Sequence, residues 1–192
     1  MKNTRPGLWL RGYAQKEGID YEETFAPVAR YTSIRTMISL AAQMGWEIHQ
    51  MDVKTTFLNG VIEEEVYIEQ PFGFETHEKK SHVCRLKKSL YGLKQAPRAW
   101  CGRIDGYLQK MEFVKSDMDL NLYYLVVENK PLILVLYVDD LFLTGSFRLI
   151  EDCKKNLDTE FDMDLGRMHY FLGLGSRRVK FSLGKGDTLQ RF

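Results

Sequence analysis

Leu132-Ile133-Leu134-Val135-Leu136-Tyr137-Val138-Asp139-Asp140-Leu141-Phe142-Leu143-Thr144 is the stretch on which the fold of this 192-residue chain turns. Branched and aromatic residues dominate it on both sides of the two aspartates, so it reads as two strands joined at Asp139-Asp140. The first strand, Leu132 to Val138, is apolar almost throughout and is predicted to be buried on both faces. An Asp-Asp pair in a turn is usually turn chemistry, because aspartate tolerates tight backbone. Here the flanks place both carboxylates at the end of a core hairpin, where buried charge needs a partner or a metal.

Working outward, Leu122–Val127 is a further strand, joined to the first by the polar Glu128-Asn129-Lys130. Ser146 can cap a helix that turns Leu149, Ile150, Cys153, Leu157 and Phe161 inward. Upstream, Pro97 suits the first turn of a helix with Trp100, Ile104, Tyr107, Leu108 and Met111 as its apolar face. Val66–Ile68 and Val83–Leu86 read as short strands around a loop over 72–82. Trp46 to Val53 reads as a strand ending near Asp52, and Leu58-Asn59-Gly60 is a turn signal. Before it, Thr32 is the expected cap of a helix with Ile34, Met37, Ile38, Ala41 and Met44 apolar and Gly45 as its stop. The order predicts an α+β fold, an antiparallel sheet with helices packed on one face.

Composition sets the bounds. With 44% hydrophobic and 28% charged residues, the chain can build a real core. No apolar run approaches the ~20 residues of a membrane span, and Met1-Lys2-Asn3-Thr4-Arg5 leads into no signal-type apolar core. The expectation is an intracellular protein, cytoplasmic or nuclear, with no membrane partner. Cys84, Cys101 and Cys153 read as reduced thiols. The net charge of +1 does not announce a nucleic-acid binder, but its distribution is uneven. Lys79 to Arg103 holds eight Lys/Arg and no acid, with Tyr91 and Trp100 among them. Such a stretch suits a phosphate backbone and stacked bases as well as it suits a solvated surface.

Mg²⁺ is commonly held by one or two carboxylates plus substrate phosphates. Two such ions ~3.5–4 Å apart can clamp both oxygens of an in-line phosphoryl displacement, which calls for carboxylates from at least two elements. Asp52, at the end of an earlier strand, can supply the second. Lys54 is expected on the opposite sheet face from Asp52 and is not assigned as a base. Three blocks then coincide: Asp52-Val53-Lys54-Thr55-Thr56-Phe57-Leu58-Asn59-Gly60, Leu90-Tyr91-Gly92-Leu93-Lys94-Gln95-Ala96-Pro97-Arg98-Ala99-Trp100, and Tyr137-Val138-Asp139-Asp140. With Arg11-Gly12-Tyr13-Ala14-Gln15, Phe25-Ala26-Pro27-Val28-Ala29-Arg30 and Tyr170-Phe171-Leu172-Gly173-Leu174, the chain resembles the reverse transcriptase of Ty1/copia-type long-terminal-repeat retrotransposons. Tyr-Val-Asp-Asp alone is a weak motif, whereas the ordered set is highly specific.

The resemblance implies an RNA-directed DNA polymerase with a fingers–palm fold on a ferredoxin-like core, over residues 1–174, its pattern clear from about 11. Residues 175–192, with five Lys/Arg against one Asp, read as a disordered tail. By resemblance, Asp52, Asp139 and Asp140 are the catalytic, metal-holding aspartates for two Mg²⁺, with Mn²⁺ as the alternative ion. Asp52 and Asp139 are the principal ligands and Asp140 the more remote. Phe57 would stack under the incoming sugar and exclude a 2′-hydroxyl, and Gln95 would contact the deoxynucleoside triphosphate or the template. Arg98 would touch the nucleic-acid backbone, Tyr137 the primer end and Gly173 the primer backbone. Trp100 reads mainly as core. The partners are a primed RNA or DNA template and a deoxynucleoside triphosphate.

Departures from the family pattern accompany the match. Gly7 stands where the family carries an arginine expected to bind the triphosphate. Met163-Asp164-Leu165-Gly166 lacks the lysine of Met-Lys-Asp-Leu-Gly, a candidate proton donor to the leaving pyrophosphate. The pattern stops after Leu174, without thumb or RNase H regions, which reads as a fragment or an altered genomic copy. The alternative function is therefore an inactive remnant that keeps the palm fold and binds nucleic acid.

Overall fold

A computed structural model describes residues 15–18, 21, 24, 28–71, 74, 82–167, 170–171 and 174–175. Helix α1 (Tyr31–Met44) leads to β1 (Ile48–Val53) and a short 3-10 helix, Thr56–Asn59. β2 (Tyr67–Ile68) and β3 (Cys84–Arg85) pair with each other, and α2 spans Ala96–Lys110. Then come β4 (Val114–Lys115), β5 (Leu122–Val127), β6 (Lys130–Tyr137), β7 (Asp140–Gly145), α3 (Phe147–Glu160) and β8 (Met163–Arg167). β9 (Tyr170–Phe171) and β10 (Leu174–Gly175) form a separate pair. The main sheet is antiparallel in the order β4-β5-β6-β7-β1-β8. The fold is α+β, as expected.

The helices do not share one face, which corrects the expectation. Alternation along β6 sends Leu132, Leu134 and Leu136 to one side, where Leu141 and Leu143 of β7 join Trp100, Ile104 and Leu108 of α2 and Ile150, Cys153 and Leu157 of α3. Val135 and Phe142 point to the other side, against Ile34 and Met37 of α1. β6 is buried on both faces because two sets of helices cover it. Phe161 joins α2 to α3, its ring edge-on to Trp100 and to Tyr107 at 5.3 Å each.

Helix ends are set partly at long range. Gly45 closes α1 in the left-handed conformation, φ 70°, which costs a glycine no Cβ clash. At the other end Thr32 is not the cap: the helix begins at Tyr31, with Arg30 preceding it. The free backbone N–H of Arg30 donates instead to the Asp119 carboxylate at 2.9 Å, and the Ser33 hydroxyl donates to the same oxygen at 2.5 Å. Asp119 also accepts from the Asn121 N–H at 3.1 Å. This buried aspartate ties the approach to β5 onto α1 across 89 residues of sequence. On the far side Asp105 of α2 accepts from the Tyr123 hydroxyl at 2.8 Å and pairs with Lys115 at 2.9 Å, fastening β4 and β5 to the helix.

The three cysteines are free thiols, and burial pushes those of Cys101 and Cys153 up to about 12. Among the described residues no helix is long and apolar enough to cross a membrane.

Candidate active site

Sheet register brings the aspartates together. Asp52, next to last in β1, lies directly opposite Asp140 on β7 and opposite Asp164 on β8. Directly opposed residues project to one face, so Asp140, Asp52 and Asp164 form a row across three strands. Like charges at that spacing repel. Burial raises the Asp52 carboxyl above its ordinary value, and the fields of Asp139, Asp140 and Asp164 raise it further, with Lys54 opposing. Burial likewise raises Asp140, assisted by Asp139 and opposed by a hydrogen bond from Gln50.

Strand β1 relieves the row at both ends. Gln50 and Lys54 lie two residues either side of Asp52, and side chains two apart in a strand share a face. Gln50 Nε2 donates to Asp140 Oδ1 at 2.8 Å, and Lys54 Nζ pairs with Asp164 Oδ1 at 3.1 Å and Asp162 Oδ1 at 2.9 Å. Lys54 is thus on the side of Asp52, not opposite it. The expectation of opposite faces fails because the period of a strand is two. Gln50 thus occupies one oxygen of Asp140.

Asp139 sits in the two-residue turn between β6 and β7, which Tyr137 and Asp140 close as a directly opposed pair. Its neighbour Val138 has φ +57°, a left-handed conformation that a branched side chain rarely adopts. The turn is braced from both sides. The indole Nε1–H of Trp100 donates to the Val138 carbonyl at 2.8 Å, and the Val53 N–H donates to the Asp139 carbonyl at 3.0 Å. Trp100 is wholly buried, as a core residue should be, and it also holds this turn.

Beyond Val53 the chain turns sharply. Thr55 takes φ +53°, and the Thr56 hydroxyl returns a hydrogen bond to the Val53 carbonyl at 2.7 Å. Phe57 follows, half-buried, its ring edge-on to Tyr91 at 4.8 Å. Burial raises the Tyr91 phenol, its hydrogen bond with Thr56 opposes this, and the fields of Asp139 and Asp52 add to the rise. Tyr91 therefore belongs to this neighbourhood, where the sequence showed it only as an aromatic within a basic stretch. Gly60 ends the segment against α2. A Cβ there would stand 2.9 Å from the Trp100 backbone nitrogen and 2.8 Å from the Ser89 hydroxyl, so glycine permits the approach.

The remaining expected residues are spread out. Tyr137 stands beside Asp140 and packs toward the α1 cluster. Gln95 is buried before α2, its Oε1 accepting from Gln15 Nε2 at 3.0 Å. Gln95 and Arg98 line a cleft of about 400 Å³ with Val61, Glu63, Glu64 and Arg103. None of the three aspartates lines that cleft. Gly173 and Gly7 lie outside the described residues.

Among the described residues no three His, Cys, Asp or Glu side chains converge tightly enough to cage an ion. A hard cation that takes part of its shell from substrate phosphates needs only one or two carboxylates. The mutually repelling, half-buried oxygens of Asp52 and Asp139 fit that donor set.

Comparison with known proteins gives the family. A family described as reverse transcriptase (RNA-dependent DNA polymerase) matches residues 3–180, a wider span than the motif blocks alone. The chain is 48% identical over 178 residues to the retrovirus-related Pol polyprotein from transposon TNT 1-94 of Nicotiana tabacum, covering 91% of this chain and 13% of that protein. It is 41% identical to the Pol polyprotein from transposon RE1 of Arabidopsis thaliana, covering 92% of this chain and 12% of that protein. Against the Ty1-ER2 Gag-Pol polyprotein of Saccharomyces cerevisiae the identity is 30%, over 94% of this chain and 11% of that protein. The chain thus spans about an eighth of the tobacco and Arabidopsis relatives it matches. No solved structure matches. With its hairpin aspartates opposite Asp52 and this match over nearly its whole length, the chain belongs to the reverse transcriptase family, as a domain of the copia-type retrotransposon Pol polyproteins.

Proposed function

We propose that this chain catalyses template-directed DNA synthesis on RNA or DNA, adding deoxynucleotides to a primer 3′-hydroxyl. The observation that carries the reading is the register of β1 on β7, which sets Asp52 opposite the braced Asp139-Asp140 turn. The primer 3′-hydroxyl releases its proton to solvent as its oxygen bonds to the α-phosphorus, the bond from that phosphorus to the β-phosphate bridging oxygen breaks, and pyrophosphate leaves. Asp52 and Asp139 would hold two Mg²⁺ or Mn²⁺ ions, with Asp140 assisting from its bond to Gln50. Such ions favour the attacking alkoxide and neutralise the leaving charge when bound.

The protein's own share is placement and charge. The Asp52 carboxylate, raised by burial and then by its acidic neighbours, gains most when a cation arrives, so the site is arranged for ions and phosphate together. Phe57, five residues after Asp52 and edge-on to Tyr91, would stack under the sugar of the incoming nucleotide. Tyr137, directly opposite Asp140, would meet the primer end. Gln95 and Arg98, in their cleft, would serve the template strand or the nucleotide, and Gly173 the primer backbone. Base pairing with the template chooses the nucleotide.

Primer extension on an RNA template with Mg²⁺ tests the reading. Extension that Asp139→Asn abolishes is the expected result. No extension, with salt-sensitive binding of an RNA–DNA hybrid retained, would instead establish the non-catalytic remnant.

A further inference from the structure

The segment Ser89-Leu90-Tyr91 grips the loop that carries Phe57. Its Ser89 hydroxyl donates to the Phe57 carbonyl, and its Ser89 N–H donates to the Gly60 carbonyl at 3.0 Å. Lys88 forms an isolated antiparallel bridge with Val61 just beyond. The Phe57 backbone is therefore fixed from one side of the loop. Its ring meets the Tyr91 ring at 4.8 Å with planes 65° apart, an edge-to-face contact. On the other side Thr56 ties the same short helix to the Val53 carbonyl, one residue past Asp52. Phe57 is thus held on a rigid path between the carboxylate row and Tyr91.

We propose that Tyr91 is a positioning residue for sugar selection, its ring holding the Phe57 ring in the one orientation that blocks a 2′-hydroxyl. The inference rests on the polymerase reading above and adds a residue and a mechanism to it. Steric exclusion of a single oxygen needs a ring that cannot swing. A half-buried phenylalanine on a one-turn 3-10 helix has room to rotate unless something fills the space beside it. Tyr91 fills that space, and the Phe57 ring also contacts both adjoining core clusters, so its rotation is limited on three sides. Removal of the Tyr91 ring opens one of them.

The test compares equilibrium binding of dGTP and GTP to the chain on a primer–template hybrid, with Ca²⁺ so that no chemistry follows. Incorporation ratios are measured in parallel with Mg²⁺. Tyr91→Ala should lower the preference for the deoxynucleotide by roughly three- to tenfold, the worth of one aromatic pair. Tyr91→Phe keeps the ring and loses only the hydroxyl's bond to Thr56, so it should keep most of the preference. Phe57→Ala should lower it at least as far, and the double variant no further, because the two rings act as one unit. If Tyr91→Ala does not fold, Tyr91→Leu takes its place, with the same expectation. An unchanged ratio in the folded variant, or equal loss in Tyr91→Phe, overturns the positioning role and leaves the polymerase reading standing. Absence of any triphosphate binding by the unaltered chain overturns both.

Discussion

Trp100→Phe isolates the brace on the aspartate turn. The substitution keeps an aromatic ring in the core and deletes the Nε1–H that reaches the Val138 carbonyl at 2.8 Å. Leaving that acceptor without its donor costs about 1–3 kcal/mol, and the smaller ring leaves a void worth about 1 kcal/mol more. Together the loss is about 2–4 kcal/mol, which at roughly 2–4 °C per kcal/mol lowers the midpoint of thermal unfolding by about 5–15 °C. Val138 itself, a branched residue at φ +57°, contributes strain of about 1–2 kcal/mol that the brace must hold in place. Without the brace the turn relaxes and Asp139 moves, so kcat should fall roughly ten- to hundredfold while KM changes little. A double-mutant cycle sharpens the test. In a Val138→Gly background, where the left-handed turn is natural, Trp100→Phe should cost less in kcat than it does alone. The reasoning is refuted if Trp100→Phe leaves both stability, within about 0.5 kcal/mol, and kcat unchanged.

Asp52→Asn should abolish extension and raise the unfolding midpoint. The folded-state pKa of Asp52 is raised, so its ionised form destabilises the fold, and that penalty grows as pH climbs from about 3.8 through the raised value. Mg²⁺ should raise the midpoint of the unaltered chain and shift that of Asp52→Asn far less, as read by thermal unfolding with and without the ion. Asp119 carries the opposite sign. Burial pushes its pKa up, but the hydrogen bonds from Ser33, Arg30 and Asn121 prevail and lower it, so its stabilisation is complete above about 3.8 and is lost as pH falls through the lowered folded value. Asp119→Ala should cost about 2–3 kcal/mol at neutral pH, measured by denaturant unfolding, and should flatten the acid limb of the stability profile. Gly60→Ala should destabilise by about 1–3 kcal/mol, because its Cβ meets the Trp100 backbone at 2.9 Å; an unaltered unfolding midpoint would show that the loop gives way freely.

What could be read in the sequence followed from local pattern. The β6–β7 hairpin announced itself because its apolar runs and its paired aspartates are contiguous. Gly45 marked a helix end by its own conformational freedom. Partners supplied from a distance left no such mark. Asp119 ties down the start of α1 from 89 residues away, through the Arg30 N–H and the Ser33 hydroxyl, whereas local pattern points to Thr32. The two-residue β4 and the charged, alternating β8 are too short or too polar to register, yet β8 brings Asp164 into line with Asp52. The face covered by α1 was hidden because a strand apolar on both sides does not say which helix covers which side. Gln50 and Lys54 were within reach, because the period of two places both on the side of Asp52; the partner Asp164 was not, because it arrives on β8.

Burial of β6 on both faces has a consequence for how the chain must be handled. Leu132-Ile133-Leu134-Val135-Leu136-Tyr137 has high β-propensity, no charge and no proline, the composition of a segment that stacks into cross-β aggregates. Its protection is positional: paired on both edges by β5 and β7, and roofed on either face by α1 and by α2 with α3. Any cut or loosening that lifts α1 away uncovers one whole side of this strand. A shortened chain begun at Ile48 would keep every aspartate of the carboxylate row and lose that cover, and it should form insoluble, dye-binding fibres where the chain bearing α1 stays dispersed.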